Sequence, residues 1–109
     1  MYLETNKNKY NIITAKSFYK RLTGLIGQKN IDYGILFPKC NSIHTFFMKE
    51  NIDVLGLDEN NEVIYKYENL PKNKVIKINS DTKKTSILEM PAKSTQKIKI
   101  GTIIIFNED

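Results

Sequence analysis

Apolar residues in this chain fall into short alternating runs, separated by clusters of Asn, Asp, Gly, Pro and Lys. Residues 9–13, KYNII, read as a first strand. Ala15, Phe18, Tyr19 and Leu22 then recur at i, i+3, i+4 and i+7, with Thr14 placed to cap and Gly24 to stop. That spacing predicts an amphipathic helix over 15–23. Residues 33–37 form a strand ended by Pro38, whose nitrogen has no hydrogen to donate to a ladder.

After the turn KCNS, residues 42–48 alternate loosely. Ile43, Thr45 and Phe47 would share one face, and His44, Phe46 and Met48 the other. Bulk on both faces predicts a largely buried strand with its aromatics in the core. Residues 52–57 and 62–67 flank the turn DENN and form the firmest hairpin. Residues 74–78 alternate with lysines, as an edge strand would. Residues 86–90 make a short strand closed by Pro91, AKSTQK a single helical turn, and IKIGTIIIF a last strand over 98–106. The sum is a mostly β (α+β) fold: a small closed or half-closed antiparallel β-barrel with one N-terminal amphipathic helix. Closure removes exposed sheet edges.

With 109 residues, 40% of them hydrophobic, the chain is expected to form one domain over 1–109. No apolar run reaches the ~20 residues of a membrane-spanning helix. The opening MYLETNKNKYNII lacks the apolar core of a secretion signal. A cytoplasmic protein is therefore expected, with export possible only if a leader was removed. The lone Cys40 excludes an internal disulfide. The net charge of +5 invites a nucleic-acid reading, but the basic residues are scattered lysines with a single arginine, Arg21, and match no recognised module. Nucleic acid is not expected as a partner.

The chemistry-bearing residues concentrate in GILFPKCNSIHTFFMKENIDVLGLD, residues 34–58, which holds the only cysteine and the only histidine. Asp53 lies within an apolar run, so strand alternation turns it inward, where a carboxylate must be paired or hydrogen-bonded. Lys49 and Arg21 are the nearest candidate partners in the pattern; backbone donors locking the turn after Met48 are the structural alternative. Glu89, between the apolar residues of ILEMP, is either a second inward carboxylate or an edge charge. These observations predict a pocket or partner surface formed by His44, Phe47, Lys49, Asp53, Glu89 and Arg21, taking a small ligand or a protein. Cys40, His44 and Asp53 are the only catalytic candidates, for a small hydrolase or transferase, and the pattern leans away from an enzyme because nothing orients the imidazole. Two or three such ligands at this spacing match no metal signature, so no metal or cofactor is expected. An accessory role in a larger cell-surface or secretion assembly is a third reading, which an exposed apolar patch would support.

The blocks RLTGLIGQK, FFMKE with IDVLGLD, and ILEMPA, spread over roughly residues 10–106, resemble the prokaryotic family known as domain of unknown function 192. The resemblance implies a single β-rich, barrel-like domain and no assigned activity. The family commonly carries Trp where this chain has Phe47, and Gly-Asp where it has Gly101-Thr102.

Overall fold

Among residues 1–16, 24–78 and 84–108, which the computed structural model describes, eight strands form. They are β1 (Tyr2–Thr5), β2 (Asn8–Thr14), β3 (Gly34–Phe37), β4 (Ser42–His44), β5 (Ile52–Leu57), β6 (Val63–Leu70), β7 (Val75–Lys77) and β8 (Ser86–Pro91). Six make one sheet in the order β1-β2-β3-β8-β5-β6, while β4 and β7 pair as a separate ribbon.

The sheet curls into a half-barrel, and the C-terminal segment bridges its two edges. At the β6 edge, Val63 N donates to Thr102 O (2.9 Å), Gly101 N to Val63 O (2.8 Å) and Ile104 N to Asn61 O (2.8 Å). At the β1 edge, Tyr2 and Asn107 exchange both backbone hydrogen bonds at 2.8 Å. The backbone groups that an open edge would leave for another chain are thus partly satisfied internally.

β5 is the central element, and its position explains its composition. It pairs with β6 on one side and β8 on the other, and all six residues are buried. Strand parity then sorts the core into two. Ile52 and Val54 face outward from the curl with Ile35, Phe37 and Ile87, under a cover made by Ile76, Ile78 and Met48 of the ribbon region. Leu55 and Leu57 face inward with Leu3, Ile12, Leu88, Met90, Ile98 and Ile104. Gly34 is required where the layers crowd: a Cβ there would meet Met90 Sδ at 2.5 Å, Ile12 Cδ1 at 2.8 Å and the Glu89 carbonyl at 3.0 Å.

Several expectations change. β1 was not predicted; it joins β2 through Asn6-Lys7, whose φ values of 52° and 63° are those of a two-residue hairpin turn. β2 and β3 are parallel, not antiparallel. The helix over 15–23 is not supported. Ala15 N donates to Leu36 O (2.8 Å) and so extends the β2–β3 ladder, residues 17–23 lie outside the described residues, and no described residue is helical. A neighbouring strand outweighs a weak local preference at Ala15. The strand expected over 42–48 stops at His44. The one expected over 98–106 is reduced to an isolated bridge at Ile103, with another at Asn107 just beyond it, because this stretch must span between edges that lie apart.

Candidate functional site

The segment after β4 is built on one buried hydroxyl. Thr45 is fully buried, its Oγ1 donates to Pro71 O (2.7 Å), and the same oxygen accepts from Lys74 N (2.8 Å). Its backbone N donates to Lys74 O (2.8 Å), and its carbonyl accepts from Asn73 N (3.2 Å) and Met48 N (3.3 Å). These bonds join the end of β4 to the approach to β7 and close a four-residue turn over 45–48.

Phe47 stands at the third position of that turn with φ of 65°, and Phe46 before it has no positive φ. This is the pattern of a type II turn, whose third position favours Gly or Asn because a β-carbon crowds the backbone there. The turn reverses the expected alternation. Met48 returns to the core, while Phe46 lies 39% exposed and Phe47 80% exposed. The expectation of buried aromatics is corrected here.

His44 is exposed rather than partly buried, and its ring stacks on Phe46 with centroids 5.1 Å apart. Opposite His44 in the ribbon is Val75, 65% exposed, so both lie on the outward face while Ile43 and Ile76 point to the core. Exposed lysines flank this surface: Lys49 directly after the turn, Lys72 and Lys74 before β7, Lys77 within it, and Lys39 before β4. Residues 38–49 and 71–78 together contain five lysines and no Asp or Glu. The whole chain has 17 basic and 12 acidic residues, so outside these two segments 12 face 12. The net charge of +5 is therefore the charge of this ribbon and its turns, not a uniform excess.

Asp53 behaves differently. It is fully buried, and its carboxylate accepts four hydrogen bonds. Oδ1 takes Asn69 N (2.8 Å) and Lys93 N (3.1 Å), while Oδ2 takes Thr95 N (3.0 Å) and Thr95 Oγ1 (2.6 Å). Buried charge is tolerated when fixed donors replace water, and here three are backbone amides. The partners are the loop after β8 and the end of β6, rather than Lys49 or the turn after Met48. Lys66 works at the other end of the same loop, its ammonium donating to Ile98 O (2.6 Å) and contacting Glu68 (2.7 Å). A carboxylate on the amides and an ammonium on the carbonyls hold residues 92–98 as a turn of matched polarity.

Glu89 pairs across the sheet with Val54 and Ile35, whereas Asp53 pairs with Met90. Directly paired residues share a face, so Glu89 and Asp53 point to opposite sides of the sheet. Glu89 is 5% exposed and lies under Gly24, where a Cβ would come within 2.9 Å of its Oε1. The Cys40 thiol donates to Ser42 O (3.2 Å), and among the described residues no hydrogen bond joins it to His44. Arg21 lies outside the described residues. The predicted residues thus separate into an exposed group (His44, Phe47, Lys49) and two buried carboxylates on opposite faces; they do not line one pocket. Cys40, His44 and Asp53 are likewise divided, with the last across the sheet from the ribbon. Among the described residues no group of three or more His, Cys, Asp or Glu converges as a metal site.

Sequence reasoning missed Thr45, Thr95 and Val75. Thr45 and Thr95 carry no local signal, since each bonds to chain more than 20 residues away. Val75 did stand out of phase with Ile76 and Ile78, which marks an outward position.

Comparison with known proteins agrees with this architecture. The model of the DUF192 family, described as "Uncharacterized ACR", matches residues 1–105. A UPF0127 protein of Thermococcus sibiricus is 39% identical over 70 residues, covering 54% of this chain and 46% of the relative. A UPF0127 protein of Thermococcus kodakarensis is 39% identical over 56 residues, covering 46% and 36%. The matches thus span less than half the length of these relatives. A protein of unknown function from Novosphingobium aromaticivorans superposes with a TM-score of 0.73 at 12% identity, covering 96% of this chain and 82% of its own. A protein from Sinorhizobium meliloti 1021, described as a candidate transcription regulator, superposes with a TM-score of 0.67 at 16% identity, covering 94% and 87%. At these identities the likeness is one of fold.

Proposed function

We infer that this chain, which belongs to the DUF192 family, is a small binding module that meets an anionic, partly apolar partner through the turn over 44–49 and the outward face of the β4–β7 ribbon. The observation that carries this reading is the exposed ring of Phe47 on a left-handed backbone. A side chain there costs about 1–2 kcal/mol against glycine, and the ring gains little burial in return among the described residues. The turn itself is rigid, since Thr45 ties both its ends. A fixed aromatic beside His44, Val75 and Lys49 is a preorganised contact surface, which lowers the ordering cost of association. Asp53 supports it indirectly by holding the sheet, and no catalytic set is assembled from Cys40, His44 and Asp53.

Anilinonaphthalene sulfonate, an anion with an apolar ring system, is a suitable probe. It should shift the backbone amide resonances of residues 44–49 and 74–77, and Phe47→Asn should remove those shifts while leaving the fold intact. Shifts confined to other parts of the chain, or shifts indifferent to Phe47→Asn, overturn the reading.

A further inference from the structure

We propose that the partner of this surface is an anionic lipid bilayer; the proposal rests on the binding-module reading above and names its partner. Two features are combined on one exposed face. Phe46, Phe47 and Val75 are exposed apolar residues of the turn and ribbon, and Lys39, Lys49, Lys72, Lys74 and Lys77 are exposed on the same two segments, which hold no carboxylate. Peripheral membrane attachment needs this pairing, because a shallow apolar insertion or a basic patch alone gives weak binding, and the two together add. Phenylalanine reaches the acyl boundary, and lysines extend their stems along apolar surface while holding the ammonium among lipid phosphates.

The shape of the surface separates a bilayer from other polyanions. Phe47 stands exposed on a tight turn, whereas single-stranded nucleic acid is taken by a basic groove that tracks the backbone with aromatics on its floor. The chain also has one arginine, Arg21, and neither segment 38–49 nor segment 71–78 contains it. The His44 and Phe46 rings already stack on each other, which uses a face that a base would need. A bilayer asks only for a protruding apolar group with cations at headgroup level, and so fits the ribbon as it stands.

The test is co-sedimentation of the full chain with large vesicles of phosphatidylcholine, with and without a minority of phosphatidylglycerol. The protein should partition onto the phosphatidylglycerol vesicles, weakly onto the neutral ones, and less as salt is raised. Phe47→Asn should lower partitioning about tenfold through lost ring insertion, and it keeps a residue that the turn accepts. Lys72→Gln, Lys74→Gln and Lys77→Gln together should lower it about a hundredfold, at about fivefold for each lysine near the surface. Ile105→Ser, at an exposed isoleucine on the segment that bridges the barrel edges, should change nothing. No partitioning, equal partitioning onto neutral vesicles, or an Ile105→Ser loss as large as that of Phe47→Asn overturns the proposal. Parallel arms with oligo-deoxythymidine and polyglutamate separate the two readings. Phe47-dependent binding to either, without vesicle binding, leaves the module reading standing and removes the bilayer. Indifference of residues 44–49 to every probe removes both.

Discussion

Replacing Asp53 by asparagine changes one oxygen to an amino group and little else in shape. Four donors converge on the carboxylate, two on each oxygen. An asparagine can keep its oxygen on Asn69 N and Lys93 N and turn its amino group to Thr95, whose hydroxyl can rotate to accept but whose amide cannot. One buried donor, Thr95 N, therefore loses its acceptor, while the remaining bonds lose the charge that strengthened them. A buried donor left unsatisfied costs about 1–3 kcal/mol, and a hydrogen bond to a charged group is worth about 1.5–3 kcal/mol. Some of this returns as the loop relaxes and water enters, so a loss of about 2–4 kcal/mol is expected. Domains of this size hold about 5–15 kcal/mol in all, so the variant should fold but with a large part of its stability gone. Urea unfolding followed by circular dichroism measures the loss, and the slope of the transition should be unchanged. Thr95→Val, which removes only the hydroxyl, should cost about 1–2 kcal/mol, and in the double variant the losses should add to less than their sum because both act on Oδ2. A loss below about 1 kcal/mol for Asp53→Asn, or strict additivity with Thr95→Val, would refute the account of Asp53 as the clamp of residues 92–98.

Other consequences can be checked on the same footing. Gly34→Ala should cost about 2–4 kcal/mol in urea unfolding, because the new methyl meets the immovable Glu89 carbonyl as well as Met90 and Ile12. Thr45→Val should leave Lys74 N without its 2.8 Å acceptor and cost about 1–3 kcal/mol, with faster amide exchange at Lys74 and Met48 marking a loosened turn. Lys66→Met should cost about 1–2 kcal/mol and speed exchange in residues 96–98, since the ammonium that holds Ile98 O is gone.

The family resemblance stated on three sequence blocks is matched by the family model over residues 1–105, and the half-barrel of the described residues fits the mostly β expectation. What alternation alone predicted was sound where a strand has neighbours on both sides. IDVLGL reads as one strand of the firmest hairpin and is one, and the DENN turn folds as expected, with Asp58 Oδ1 accepting from Asn60 N and Glu62 N. The burial of Asp53 was also legible, because a lone charge among apolar residues of a strand has a defined side, whereas Glu89 read equally as a buried carboxylate or an edge charge.

Their separation was not legible. Which side of the sheet each carboxylate takes depends on the pairing of β5 with β8, where Val54 stands opposite Glu89, and a register shift of one residue would have put both on the same face. Register is a contact between segments more than 30 residues apart, and no local pattern carries it. The exposed aromatics were hidden for a related reason. FFM is as hydrophobic as any core segment, and only the bonds from Thr45 to Pro71 and Lys74 force the chain to turn there and lift Phe47 out. The grouping of the net charge follows the same logic: the lysines of 38–49 and 71–78 look scattered along the chain and meet only when β4 pairs with β7. Composition and alternation determined most of the strands and the DENN turn, because those preferences are local free energies. Tertiary pairing decided which of them face one another, because that choice is made by long-range contacts whose energy no single segment contains.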